Sequence, residues 1–213
     1  SEFSRDVHVM RPIEIQPHWR VYFTMDYGLD MFAGYYIALD PQERGYVIRE
    51  IYEPNMIISD AAKLISKTTK ELGVKVHSYL APTDLWNRRQ ETGKSVADIF
   101  YAEGLRLTKT SRDRIDGWMA LKEWLAPFED EQGIRIAKLR FFPSCVNAIR
   151  CIPALQFSES KPNDVATKPH DITHAPDAIR GFCIHRSRPN RKMPVEDEER
   201  RLERAEENSF VSS

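Results

Sequence analysis

Arg20-Val21-Tyr22-Phe23-Thr24-Met25-Asp26-Tyr27-Gly28 is the stretch whose reading decides the fold. Val21 to Met25 mixes β-branched and aromatic side chains, which suit a pleated, buried surface, and the run ends in an acid, an aromatic and a glycine. This predicts a strand closing at a turn, with Asp26 at its end. Two further strands follow, Met31 to Leu39 and Tyr46 to Tyr52. They are joined by Asp40-Pro41-Gln42-Glu43-Arg44-Gly45, whose Pro and Gly supply turn geometry. Three consecutive strands on short connections make an antiparallel meander.

Beyond the meander the period changes. Ile58, Ala61, Ala62, Ile65, Thr69 and Leu72 fall on one helical stripe, so Ile57 to Leu72 is predicted as a helix stopped by Gly73. Val74 to Leu80 returns as a strand beside the first and closes at Ala81-Pro82-Thr83-Asp84. A short helix over Ser95 to Glu103, a short strand at Leu105-Arg106-Leu107 and a longer helix over Arg112 to Leu125 come next. A strand over 134–142 and a helix from Val146 to Ile152 follow. The last helix is predicted to start at Pro176, a residue favoured at the first helical position, and to run to Arg186. The pattern is a single α/β domain, a mixed central sheet flanked by helices. It occupies residues 18–187, between a leader over 1–17 and a charged, flexible tail over 188–213.

Composition narrows the function. The 213 residues, 41% apolar and 30% charged, have the balance of a soluble globular protein with room for one ordinary core. Every apolar stretch carries charge within about ten residues, so no membrane span is expected. Ser1-Glu2-Phe3 resembles a cloning remnant and no initiator Met precedes it, so the sequence is expected to be a fragment of a longer protein. Cys145, Cys151 and Cys183 lack CxxC spacing and are expected as reduced, buried thiols. The net charge of -1 is unevenly spread, because Met193 to Ser213 holds seven acids and three bases. The remaining body is mildly positive, which suits a protein whose cations neutralise its own carboxylates. Gly-x-x-x-x-Gly-Lys-Ser/Thr and Gly-x-Ser-x-Gly are both absent, which excludes a P-loop ATPase and a nucleophile-elbow hydrolase in this stretch.

The chemistry-bearing positions are acids at element ends. Asp26 and Asp84 close strands expected to lie side by side, where an α/β sheet gathers its ligand groups on one edge. Asp177 lies in the first turn of the last helix, where the helix dipole favours a carboxylate. Three converging carboxylates repel one another unless a cation sits among them, and hard oxygen ligands select magnesium or manganese. Taken singly, each acid fits a cap or turn role as well. Asp30, Asp40, Asp98 and Asp116 are expected to be turn, cap or surface acids. His174 stands as a metal ligand, a phosphate contact or a capping group. The His170-x-x-x-His174 pair invites zinc, but no cysteine pair accompanies it. Arg88, Arg89, Lys94, Lys109, Arg112 and Arg114 cluster after Asp84, with Trp86 and Asn87 interleaved. They read equally as a phosphate-binding face or as ordinary solvated surface.

Taken in order, these stretches resemble a known family. Tyr22-Phe23-Thr24-Met25-Asp26-Tyr27-Gly28, then Ala81-Pro82-Thr83-Asp84, then Gly93-Lys94-Ser95-Val96-Ala97-Asp98-Ile99-Phe100 with Gly104-Leu105, are three. Asp113-Arg114-Ile115-Asp116-Gly117-Trp118 is the fourth. Lys161-Pro162-Asn163-Asp164-Val165 leading to Asp171-Ile172-Thr173-His174-Ala175-Pro176-Asp177-Ala178-Ile179-Arg180 closes the series. Together they are similar to the C-terminal nuclease domains of large terminase subunits from tailed phages and prophages, over residues 20–187. Two departures stand out. Thr173 occupies a place where the family often has an acid, with Asp171 nearby, and Gly181-Phe182 replaces an aromatic that often follows the Arg.

The resemblance implies an RNase H-like fold and a metal-dependent endonuclease. Two divalent ions, Mg2+ or Mn2+, would be held by Asp26 between them, Asp84 on one and Asp177 on the other. His174 would assist as a nearby metal or phosphate contact, and Asp171 would be a further ligand or merely cap the helix. It implies cutting of concatemeric double-stranded phage DNA during packaging, in the cytoplasm of the infected or lysogenic bacterium. The implied partners are an N-terminal ATPase domain of the same protein, the portal and the small terminase subunit. Two other readings share the residues. One is an RNase H-like resolvase or transposase. The other is a non-catalytic DNA- or protein-binding packaging module whose acids are only caps.

Overall fold

Strand β1 (Arg20–Tyr27) forms where the sequence predicts it and is buried on both faces through its middle. In this computed structural model the described residues are 3–28, 30–111, 113–156, 158, 164–166 and 168–187. Arg112, Lys161-Pro162-Asn163 and the tail over 188–213 lie outside them. Side chains alternate along β1. Tyr22 packs into one hydrophobic cluster, and Val21, Phe23 and Met25 into the cluster on the opposite face. Each large apolar side chain buried in this way contributes about 1.5–3 kcal/mol.

Strands β2 (Met31–Leu39) and β3 (Gly45–Pro54) complete the antiparallel meander, with Asp26 opposite Ala33. Helix α2 (Ile58–Leu72) crosses over to β4 (Val76–Pro82), which pairs parallel to β1. Gly73 ends α2 in the left-handed conformation, as the sequence predicts. After the single turn Thr83–Trp86 come α3 (Val96–Ala102) and β5 (Leu107–Thr110), the latter parallel to β4. Helix α4 (Arg114–Leu125) leads to the hairpin β6 (Pro127–Glu129) and β7 (Arg135–Ala137). Strand β8 (Leu139–Phe141) pairs parallel to β3. Helices α5 (Val146–Ala154) and α6 (His174–Ser187) complete the chain as described. The main sheet runs β5-β4-β1-β2-β3-β8. Helices α4, α5 and α6 supply one cluster and α2 and α3 the other, so the sheet is mixed and flanked by helices on both faces.

Several boundaries differ from expectation for identifiable reasons. The strand expected at Leu105 begins two residues later, because Leu105 and Gly104 terminate α3. Gly104 N–H donates to Tyr101 and Leu105 N–H to Phe100, the paired bonds of a Schellman motif. The single strand expected over 134–142 is broken at Lys138, whose carbonyl accepts from Gly45 N–H. The β6–β7 hairpin is an addition to the expected elements. Its turn is closed by Asp130, whose carboxylate accepts from the N–H groups of Gln132 and Ile134. Helix α6 starts two residues before Pro176, and Asp177 N–H makes its first bond, to Thr173. Pro176 therefore sits where an N–H would have no partner in the helix. Within the leader, Arg5–His8 forms α1, and buried His8 bonds the Leu125 carbonyl at 2.8 Å through Nε2.

The β1–β2 contact allows a test. A Cβ on Gly34 would lie 2.5 Å from Phe23 Cζ across the strand pair. Gly34→Ala should therefore cost about 1–3 kcal/mol in urea unfolding, as overpacking does. A loss below about 0.5 kcal/mol would mean that Phe23 moves aside freely.

Candidate functional site

The site is assembled where α6 crosses the C-terminal end of β1. Thr24 and Asp26 lie two residues apart on the strand and so point to the same face. The Thr24 hydroxyl donates to the Ala178 carbonyl at 2.6 Å, and His174 Nδ1 lies 2.9 Å from Asp26 Oδ2. A carboxylate oxygen accepts, so His174 Nδ1 carries the proton of this bond. Burial raises the Asp26 carboxyl above its usual value. The His174 hydrogen bond pulls it back, and the negative charge of Asp177 adds to the rise, which places Asp177 within electrostatic reach. The same hydrogen bond to Asp26 holds His174 above its ordinary pKa, against the effect of burial.

Asp177 is itself held by cations. Arg180 Nε donates to its Oδ1 at 2.7 Å, and Arg114 Nη1 stands 3.6 Å from the same atom. Arg114 also bonds both oxygens of Asp164, at 3.2 and 3.3 Å, and the Val165 carbonyl. Trp118 Nε1 donates to Asp164 at 3.0 Å, and the Arg180 guanidinium lies 4.9 Å from the Trp118 ring centroid. Asp164 is thus the far anchor of a chain of charges ending at Asp177. Burial alone would raise its carboxyl, but the Arg114, Val165 and Trp118 hydrogen bonds bring it below the usual carboxylate range.

The other expected residues take varied positions. Asp84 lies two residues past β4, level with the end of β1, and is exposed. Among the described residues its carboxylate has no hydrogen bond or ion pair. Asp171 is 68% exposed and faces Arg150 at 3.7 Å, while its backbone carbonyl accepts from the Tyr52 hydroxyl. Arg88, Arg89 and Lys94 are exposed on the loop after Asp84, and Lys109 stands over the Trp86 ring at 5.1 Å. Arg89 is close enough to Tyr27 for its charge to offset part of the burial that raises that phenol. Arg114 does not present a free cation to DNA, since two carboxylates engage it.

Asp98 and Asp116 are the expected first-turn acids, and Asp40 the expected turn acid, buried and bonded by Arg44 and Tyr46. Asp30 is more than that. Its carboxylate lies 3.1 Å from His170 Nδ1 and 3.5 Å from His174 Nε2, a group able to hold a metal ion. No sequence signal joined Asp30 to residues 140 positions away. A groove lies elsewhere, beside the β6–β7 hairpin, between Gln42, Glu123, Phe128 and Lys138.

No family model and no curated protein sequence matches the chain. Solved structures do match. The nuclease domain of the large terminase of bacteriophage SPP1, with bound Mn, aligns at TM-score 0.56 and 17% identity, over 86% of this chain and 97% of that one. The large terminase nuclease of thermophilic phage G20c aligns at TM-score 0.55 and 12% identity, over 86% and 94%. The fold is that of a large-terminase nuclease domain. The large terminase of thermophilic bacteriophage D6E aligns at TM-score 0.66 and 14% identity, over 85% of this chain, which spans only 43% of that protein. The mixed sheet with its flanking helices is thus the RNase H-like terminase nuclease fold. Among the described residues, no helix is long and apolar enough to cross a membrane.

The charge chain makes stability pH-dependent in a defined direction. Because the folded-state pKa of Asp164 is depressed, its contribution is present above the unfolded value of about 3.9 and disappears as pH falls through the lower, folded one. Asp164→Asn should cost on the order of 1–3 kcal/mol at pH 7 and less at pH 3, measured by urea unfolding. An equal effect at both pH values would assign it to packing instead.

Proposed function

We propose that this chain is the nuclease part of a large terminase, a metal-dependent endonuclease that cuts double-stranded phage DNA during genome packaging. The observation that carries the reading is the convergence of Asp26, His174 and Asp177 at the end of β1, inside a terminase nuclease fold. Asp26, Asp84 and Asp177 would hold two divalent cations. The donors fit such ions, since Asp26 and Asp177 offer hard carboxylate oxygens whose charges repel across a partly buried site, and Asp84 would add a third from just past β4. Bound Mg2+ or Mn2+ would supply Lewis acidity and a water of lowered pKa.

The chain's own residues do the positioning. His174 fixes one Asp26 oxygen, and Arg180 with Arg114 fixes Asp177. Neither carboxylate is then free to rotate away from the scissile phosphate. Arg88, Arg89, Lys94 and Lys109 supply an exposed positive rim for backbone phosphates. Arg112 belongs to the same stretch of sequence. Water would attack the phosphorus in line as the bond to the 3′-oxygen breaks, losing a proton to solvent while the leaving oxygen takes one up, to give a 5′-phosphate and a 3′-hydroxyl. A duplex lying across the strand ends requires no enclosed pocket. The D6E alignment, spanning under half of that terminase, supports an ATPase domain as the partner in cis. Portal and small subunit complete the proposed assembly, in the host cytoplasm.

Plasmid nicking with manganese, magnesium or EDTA tests the reading. Asp26→Asn should reduce metal-dependent cutting by on the order of a hundredfold or more, with an unfolding midpoint near that of the parent. Equal cutting by parent and variant would remove Asp26 from the centre. A second measurement addresses the rim. Replacing Arg88 and Arg89 by Ala should weaken binding to duplexes of any sequence and reduce the salt slope by about 0.9 for each phosphate no longer neutralised. An unchanged slope would return the rim to ordinary surface.

A further inference from the structure

Asp30, His170 and His174 bring three metal-binding atoms together from two distant segments, the β1–β2 turn and the 3-10 turn His170–Ile172 with the first residue of α6. His174 is 3% exposed. Its Nδ1–H is committed to Asp26, which leaves the lone pair on Nε2. That Nε2 atom is buried and has no hydrogen-bond partner among the described residues. It faces Asp30 Oδ2 at 3.5 Å, and His170 Nδ1 reaches the same oxygen at 3.1 Å. The two imidazole rings meet edge to face, 4.5 Å between centroids. Bonds of about 2.0–2.1 Å to a tetrahedral ion place neighbouring ligand atoms about 3.3 Å apart, and the two observed separations bracket that value.

We infer that Asp30, His170 and His174 form a site for a borderline divalent cation of the zinc class, with its fourth position open to solvent. The donor chemistry sets this site apart from the carboxylates proposed for Mg2+ or Mn2+, because two imidazoles and one carboxylate favour zinc or cobalt over magnesium. The Asp26–His174 bond completes the arrangement. A carboxylate that accepts the distal N–H of a ligating histidine fixes its tautomer and raises its basicity. The other two donors are accessible, Asp30 at 59% and His170 at 62% side-chain exposure, so an ion can enter without unfolding the chain. The local backbone holds them in place. The Thr173 hydroxyl donates to the His170 carbonyl, and the Tyr52 hydroxyl to that of Asp171. The three cysteines do not compete, since all are buried and burial pushes their thiols up. An ion held here ties the β1–β2 turn to α6.

The site is tested by metal binding alone, so it stands or falls separately from the nuclease reading. The full chain, stripped of metal, is titrated with Co2+ followed by visible absorption, and with Zn2+ by calorimetry. The expected result is one tight equivalent with tetrahedral cobalt bands, separate from any weaker binding at the acids, and an affinity at that site at least tenfold weaker in His170→Ala and in Asp30→Asn. Both residues are exposed, so these variants should keep the parent's circular dichroism. His77→Ala should bind as the parent does. The inference is overturned if His170→Ala binds zinc as tightly as the parent, or if Asp84→Asn abolishes binding and so assigns the ion to the acids. Weakening confined to His77→Ala, or no binding of either metal, overturns it as well.

Discussion

The seating of α6 across the end of β1 is the constraint on which the rest of the site depends. Two hydrogen bonds define it, Thr24 to the Ala178 carbonyl and His174 to Asp26. Their spacing is geometric. Two residues of strand advance about 6.6 Å and four residues of helix about 6 Å, so positions 24 and 26 match 178 and 174 when the two elements run in opposite directions. The buried Thr24 hydroxyl requires a partner, and the helix carbonyl supplies one. Once this register is set, Asp177 follows His174 by three residues and stays on the same side of the helix. No residue beyond those of β1 and α6 is needed to bring His174, Asp177 and Asp26 together.

Charge is then distributed to keep acids close without collapse. Burial raises the Asp26 carboxyl, and the negative charge of Asp177 adds to the rise. Arg180 and Arg114 offset the charge of Asp177, and Asp164 with Trp118 anchors Arg114 in turn. Packing reinforces the arrangement. A Cβ on Gly117 would lie 2.8 Å from Arg180 Nη1, so the glycine leaves room for that guanidinium against α4. The result is a rigid cationic bracket behind the acids, while Arg88, Arg89 and Lys94 stay exposed to solvent on the loop after Asp84.

Much of this was legible in the chain itself. The meander, the crossover helix with its Gly73 stop and the parallel return strand follow from period and punctuation, because burial on a strand or helix face leaves a local pattern. Asp26 and Asp177 were legible as acids at element ends, and the series of motifs pointed to the fold that the solved terminase nucleases share. What the sequence concealed was mostly short or shared. Leu105 has the composition of a strand residue but serves as the cap contact of α3. Arg114 reads as a candidate phosphate contact, yet carboxylates from two other segments engage it. Asp171 reads as a ligand or a helix cap, and nothing local announces the Arg150 guanidinium 3.7 Å from its carboxylate.

The sequence by itself determined the elements, their order and the chemistry each could offer, since helical and strand periods, caps and turn residues act over a few neighbouring positions. Only the tertiary structure decided which side chains meet. The partners of His174 lie 148 and 144 positions earlier in the chain, at Asp26 and Asp30. No local pattern encodes that separation. It is set by the packing of α6 on the sheet, which turns an isolated histidine pair without cysteines into one side of a three-donor cluster.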